Sequence, residues 1–291
     1  MPQADIPNLD GKREISEATS DLWARLQPQL DQMFASDGLP DQLCHYTNFA
    51  GLKGILENNA LWATYTRSLN DGSEDKYGTD IVNGYLNAFS VDISSRFDAV
   101  LNATRNFATC FCEDAHILSM WRGYAGYGGG FCLEFDRRKL GNCSFPPFGA
   151  KYLLKIRYGN TLSAEVRSAI EVAGAFAKTG EMHALVSKNF VKLMALKIKH
   201  PAFHEEKEWR IVVQNPPITE MKFRAGNSDV KPYLELHPAP AEDSARLPLR
   251  RVVLGPTLRD DDELKETVGL MLERYGYQDV LVEASGIPFR L

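Results

Sequence analysis

Two hydrophobic periods run along this chain, one near 3.6 residues and one of 2, and the switches between them outline its elements. Leu22, Leu26, Leu30 and Phe34 recur at helical spacing and predict a helix from about Ser16 to Ala35, after a loose polar arm over residues 1–13. Pro28 lies inside that stretch, and a ring that removes a backbone donor should kink or split it. Ser36 to Pro40 reads as a stop and turn. Leu43-Cys44-His45-Tyr46-Thr47 is a short apolar and aromatic strand. Asn48 can cap the helix that follows, which turns Leu52, Ile55 and Leu56 inward and ends in a left-handed cap near Asn58-Asn59. Leu61-Trp62-Ala63-Thr64 is extended and residues 68–73 form a loop, with helices expected over Asp75–Phe89 and about Ser94–Ala103.

The second half continues in mixed order. Phe107 to Cys112 is rich in strand formers, and Leu118 to Tyr124 reads as a short helix entering a glycine loop. Phe131, Leu133 and Phe135 then alternate with Cys132 and Glu134 as a half-buried strand. Further strands are expected at Tyr152–Tyr158, Glu208–Val213, Tyr233–Leu236, Arg250–Leu254 and Asp279–Val282. Helices are expected over Ala164–Lys178 and over His183–Lys199, the latter with Phe190, Leu193 and Met194 inward and Pro201 ending it. A last helix opens at Asp260-Asp261-Asp262, acids that suit the positive end of a helix dipole. Strands and helices that do not alternate regularly point to an α+β fold with a mixed, mostly antiparallel central sheet flanked by helices. Residues 1–38 read as an arm with a helix and 39–291 as a single domain, with Pro238–Pro248 a surface loop.

Composition narrows the function. No apolar run nears the roughly 20 residues that span a bilayer. The start, Met1-Pro2-Gln3-Ala4-Asp5, has no basic start or apolar block, so no signal peptide is expected, and five cysteines in a chain of 291 residues suit a reducing cytoplasm better than a disulfide framework. A formal net charge of −5 excludes a globally basic nucleic-acid binder but leaves room for a local basic cleft. No dinucleotide-binding glycine motif, phosphate loop or serine elbow is present. Cys110, Cys112, Cys132, Cys143 and His116 are close enough in sequence to raise a zinc site, but their spacing favours buried apolar thiols, and Pro201 breaks the helix that would pair His200 with His204. No metal is expected.

Three segments carry groups that a core does not need: His45-Tyr46-Thr47 at a strand end, Trp121-Arg122-Gly123-Tyr124 beside the glycines, and Glu205-Glu206-Lys207-Glu208-Trp209-Arg210 entering a strand. Singly, each has a bland reading as core histidine, packing aromatics or solvated edge. Together they suit an anionic, ring-containing ligand: a guanidinium can fork onto phosphate, aromatics can stack on a base, and an imidazole can hold a ribose hydroxyl. Glu206 and Glu208, two apart, are expected to share one strand face.

These segments, with Gly51-Leu52-Lys53-Gly54-Ile55-Leu56, Ser68-Leu69-Asn70-Asp71 and Lys199-His200-Pro201-Ala202-Phe203, resemble a bacterial family known as domain of unknown function 2971, from about Leu43 to Pro288-Phe289-Arg290. The strand ending in His45 and the helix after it are also similar to the opening of ADP-ribosyltransferases of the His-Tyr-Glu type. That resemblance implies an ADP-ribosyltransferase-like fold and an NAD-consuming transferase or glycohydrolase, of a kind that serves as toxin or phage-defence effector, with a nucleic-acid, protein or water acceptor. It implies His45 on a ribose hydroxyl, Thr47 beside it, Glu206 or Glu208 as the catalytic carboxylate, and Trp62 and Tyr65 as the aromatic second motif. Tyr46 stands where that family has glycine. Trp121 or Tyr124 would wall the pocket, and Arg122 or Arg210 would meet the pyrophosphate. The residues by themselves leave open a non-catalytic module that binds a nucleotide or a protein partner in the same cleft.

Overall fold

The computed structural model describes residues 9–69, 74–88, 104–143, 145, 151–225, 229–238, 246–258, 260 and 262–289. In chain order these form helix α1 (Leu9–Asp37), strand β1 (Gln42–Thr47), α2 (Phe49–Asn58), β2 (Leu61–Tyr65), α3 (Glu74–Ala88), β3 (Asn106–Cys112), α4 (Leu118–Tyr124), β4 (Phe131–Asp136), α5 (Arg137–Asn142), β5 (Lys151–Lys155) and β6 (Arg157–Tyr158). There follow α6 (Ala164–Ala177), α7 (Glu181–Ala195), β7 (Ile198–Lys199), β8 (Glu208–Gln214), β9 (Lys222–Ala225), β10 (Val230–Leu236), β11 (Leu249–Leu254), α8 (Asp262–Arg274) and β12 (Leu281–Ala284). The helix expected at 94–103 and most of the loop at 68–73 lie outside the described residues. The α+β class with a mostly antiparallel sheet and flanking helices is as the sequence suggests. No described helix is long and apolar enough to cross a membrane.

Contacts divide the chain into two compact units interleaved in sequence. The first comprises Met1–Leu39, Asp71–Thr104 and Arg157–Pro201. It is built on α1, α3, α6 and α7. Leu22, Leu26 and Leu30 of α1 are buried, as their spacing requires. The helix begins at Leu9, inside the expected arm, and runs through Pro28 without a break. One lost backbone bond is outweighed by apolar burial in the turns on either side. Helix α7 ends at Ala195, earlier than the periodicity implies, because Ile198-Lys199 leaves to pair in parallel with Arg157-Tyr158. The strand expected across 152–158 is divided accordingly: its first part, β5, belongs to the other unit.

The second unit comprises Pro40–Asn70, Arg105–Ile156 and Ala202–Leu291 and holds the large sheet. Its strand order is β12-β11-β4-β1-β3-β2-β10-β9, with β8 also beside β3 and β5 beyond β8. Every described pairing in this sheet is antiparallel except β11 with β12, which α8 connects. The order forks at β3. Strand β8 pairs with it along its whole length, from Asn106↔Gln214 to Cys112↔Glu208. The opposite edge is shared: β2 takes Phe107 and Ala108, and β1 takes only Cys112. Between them, side chains close the gap. Thr109 Oγ1 donates to the Trp62 carbonyl at 3.0 Å, and His45 Nδ1 lies 2.8 Å from the Cys110 carbonyl.

Alternation along these strands makes two faces. One is hydrocarbon: Leu43, Phe107, Phe111, Leu133, Phe135, Trp209 and Ile211, covered by Leu52, Ile55 and Leu56 of α2 and by Val268 and Leu272 of α8. The other carries Cys44, Tyr46, Cys112 and Cys132 under Trp121 of α4. Helix α2 is capped as expected: Asn48 accepts from Gly51 N at 3.0 Å, and Asn59 takes the left-handed conformation at φ 46°. Periodicity missed the short edge strand β9, which is largely exposed and has no apolar alternation to reveal it.

Candidate functional site

Register decides which of the proposed residues can meet. Cys44 stands opposite Cys112, and Cys112 opposite Glu208, so Cys44 and Glu208 share one face of the sheet. His45, one residue on, lies on the other face, paired with Leu133 and with its ring 5.8 Å from that of Phe111. The imidazole and the Glu208 carboxylate thus occupy opposite faces of the sheet, on strands that flank β3. Burial lowers the His45 pKa and the Arg224 charge lowers it further, against the opposing hydrogen bond to Cys110. A carbonyl can only accept, so Nδ1 carries a proton.

The two glutamates also part company. Glu206 ends a 3-10 turn (Pro201–Glu206), Lys207 has a left-handed backbone at φ 42°, and only Glu208 opens β8, so the expected common strand face is not formed. Glu208 holds Arg210 through both oxygens, Nε at 2.6 Å and Nη2 at 2.8 Å, and the two side chains are only 5 % and 4 % exposed. Glu206 accepts from the Tyr124 hydroxyl at 3.0 Å. Ser119 Oγ donates to the neighbouring Glu205 at 3.2 Å.

These last contacts join the second and third candidate segments. Helix α4, the glycine loop after it and the 3-10 turn border an open cleft of about 790 Å³, lined by Leu118, Ser119, Arg122, Gly123, Gly126, Tyr127 and Glu205. Arg122 stacks its guanidinium over Phe289 at 4.8 Å. Tyr127 is 72 % exposed. The loop is tightly folded rather than an open phosphate cradle. Gly128 N already donates to the carbonyls of Trp121 and Ala125, and Gly129 N to that of Gly126. A Cβ on Gly130 would stand 2.4 Å from the Thr47 carbonyl, so the glycine is needed for close approach of two backbones.

The other expected ligand contacts are structural. Trp121 is fully buried, donates from Nε1 to the Ala115 carbonyl at 3.0 Å and meets Tyr46 edge-on at 4.8 Å. Tyr46 is itself buried, donates to the Asp114 carbonyl and accepts from Ile117 N. Neither can wall an open pocket. Thr47 ends β1 opposite Phe131, and Tyr65 packs on Phe107 at 5.4 Å. Trp62 lies tilted against Tyr233 at 5.3 Å and beneath Arg224 at 5.4 Å. Periodicity gave no access to Arg224 or Tyr233, because only the fold of β9 onto β10 and β10 onto β2 assembles them. All five cysteines are free thiols. The hydrogen bond with Cys44 and then burial push the Cys112 thiol up, and burial and then the bond with Cys44 push the Cys132 thiol up, which keeps both neutral. Among the described residues no group of three or more His, Cys, Asp or Glu side chains could hold a metal ion.

Residues 120–211 match the model of a family described as a protein of unknown function, DUF2971. The matched stretch contains Arg122, Tyr124 and Glu205 to Arg210 but not His45. No curated protein and no solved structure matches the chain.

Proposed function

We propose that this protein binds a nucleotide in the cleft beside α4, with NAD as the ligand its chemistry suits, and consumes it as an ADP-ribosyltransferase-like transferase or glycohydrolase in the reducing cytoplasm. The observation that carries this reading is the convergence of Arg122, Ser119, Tyr127 and Glu205 on one cleft, of a volume usual for small-molecule sites. Arg122 forks onto the pyrophosphate, the exposed Tyr127 ring offers a stacking face, and Ser119 with Glu205 takes ribose hydroxyls. Cleavage of the nicotinamide–ribose bond builds positive charge on the sugar, and a carboxylate set beside it lowers the barrier. Glu206, held by Tyr124, is the glutamate we assign to that role. Glu208 is already neutralised by Arg210. The released ADP-ribose passes to water or to a nucleic-acid or protein acceptor, as a toxin or phage-defence effector would use it.

A second reading is favoured by the separation of His45 from Glu208 across the sheet: the same cleft serves a non-catalytic nucleotide-binding module. One experiment separates the two. Purified protein is titrated with NAD by calorimetry and then assayed for free nicotinamide, alone and in a lysate with labelled NAD. An enzyme releases nicotinamide or labels an acceptor. Glu206→Gln removes that activity and leaves binding, while Arg122→Gln weakens binding by about tenfold, the loss expected for one charge-assisted contact. Binding without turnover identifies the module, and the absence of NAD binding overturns both readings.

A further inference from the structure

The fork in the sheet holds a second group of polar side chains, separate from the cleft. Arg224 of β9 lies with its guanidinium 5.4 Å from the Trp62 ring and 5.9 Å from the Tyr233 ring. Its Nη2 donates to Thr64 Oγ1 at 3.0 Å. Its Nε is buried without an acceptor, and so is Nε1 of Trp62. No carboxylate among the described residues pairs with it, and burial lowers its pKa with only Tyr233 opposing. Lys222, two residues earlier on the same strand, is by contrast satisfied by Glu235 at 2.5 Å. A half-buried guanidinium whose Nε is buried without an acceptor, with a buried indole N–H also lacking one, leaves two donors unmet. Native structures pair nearly all such groups, and unmet buried donors mark a place that an acceptor would satisfy. Two aromatic rings and the Thr64 hydroxyl hold the guanidinium in place.

We propose that Arg224, Trp62 and Tyr233 form a binding site for a small oxyanion, the phosphate of a phosphate ester or a carboxylate. Arg224 supplies the charge and one donor, Trp62 Nε1 a second donor, and Tyr233 holds the guanidinium. The Arg224 charge is among the influences that lower the His45 pKa, so the His45 ring serves as a second reporter of charge there. The site is independent of the cleft and of what binds in it.

Two anions serve as probes, inorganic phosphate and acetate, each titrated against chloride at fixed ionic strength. The indole N–H resonance of Trp62 and the ring resonances of His45 are followed by NMR. The expected result is a saturable shift of both sets. Phosphate acting alone identifies a phosphate-ester site and acetate acting alone a carboxylate site. Arg224→Gln weakens binding by about tenfold or more, as loss of a charge-assisted donor should. Trp62→Phe, which keeps a ring and removes the N–H, weakens it less, read from His45. Lys222→Gln and Arg122→Gln leave it unchanged, and the latter variant separates this site from the cleft. Arg224 is half-buried on a short edge strand, and Arg224→Lys, which keeps the charge without the fork, guards against a folding artefact by retaining partial binding. Absence of a saturable shift with either anion, or equal affinity in Arg224→Gln, overturns the proposal.

Discussion

The two faces of the sheet in the second unit are made from alternate residues of the same strands, yet they obey different physics. On the hydrocarbon face, Phe111, Phe135, Trp209 and Ile211 contribute by area removed from water, and their partners are interchangeable in kind. On the other face, Glu208, Arg210, Tyr46 and Cys112 are each tied to a particular acceptor or donor. There a buried group is tolerable only while its partner is present. The contrast explains how His45 and Glu208 can be near in sheet position and remote in chemistry: one residue of register puts a full sheet thickness between them.

Removing one half of the buried ion pair tests the polar face most severely. Arg210→Met takes the guanidinium away from the buried Glu208 carboxylate, and should destabilise the protein by about 3–5 kcal/mol. The double variant Glu208→Leu with Arg210→Met removes both charges and should recover most of that loss. Denaturant unfolding of the single and double variants measures it. A single variant within about 0.5 kcal/mol of wild type, the range of an ordinary surface substitution, would show that the pair is not structural. Glu208 would then be available to a ligand, and the assignment of Glu206 would lose its ground.

The same contrast explains what could be read in advance. The helices and most strands are visible because burial on one side leaves a period in the sequence: Leu22, Leu26 and Leu30 in α1, Phe131, Leu133 and Phe135 in β4. Asn48 and Asn59 are legible because capping is local chemistry. The fork at β3 leaves no such trace, since which strand takes Cys112 and which takes Ala108 depends on contacts far apart in the chain. The site suffers most from this. Trp121 and Tyr46 have the residue types of a ligand pocket, and only burial shows that they pack on each other. The left-handed Lys207 rotates Glu206 out of the strand alternation, a backbone event that no period records. Tyr124, Ser119 and Glu205 were in the right segments, but their pairing needed the 3-10 turn to meet α4.

A smaller effect sharpens the comparison at the cleft, where groups are exposed and partners matter for position more than stability. Tyr124→Phe removes the hydroxyl that donates to Glu206 and keeps the ring. Its stability change should fall at or below about 0.5–1.5 kcal/mol, the usual net worth of one hydrogen bond, because the tyrosine is 39 % exposed. Its effect on nicotinamide release should exceed its effect on NAD affinity, since it positions Glu206 rather than touching the ligand. Thermal unfolding and the NAD assay read the two parts. A larger loss in stability than in turnover would make the bond a packing element.

The smallest expected effect is a tilt in acid stability from His45, the one imidazole on the hydrocarbon face of β1. Its folded pKa lies below the ordinary 6.5 because burial, and then Arg224, disfavour the charged ring. The unfolded chain therefore binds more protons in the window just below 6.5, so stability is full above that pH and is lost as pH falls toward the folded value. His45→Asn keeps a donor for the Cys110 carbonyl and removes the titration. Chemical unfolding at a series of pH values between neutral and mildly acidic should give a shallower decline for the variant than for wild type. Parallel curves would mean that the imidazole is protonated as readily folded as unfolded. It would then sit in contact with water or an anion, and the hydrocarbon face would not extend to the fork.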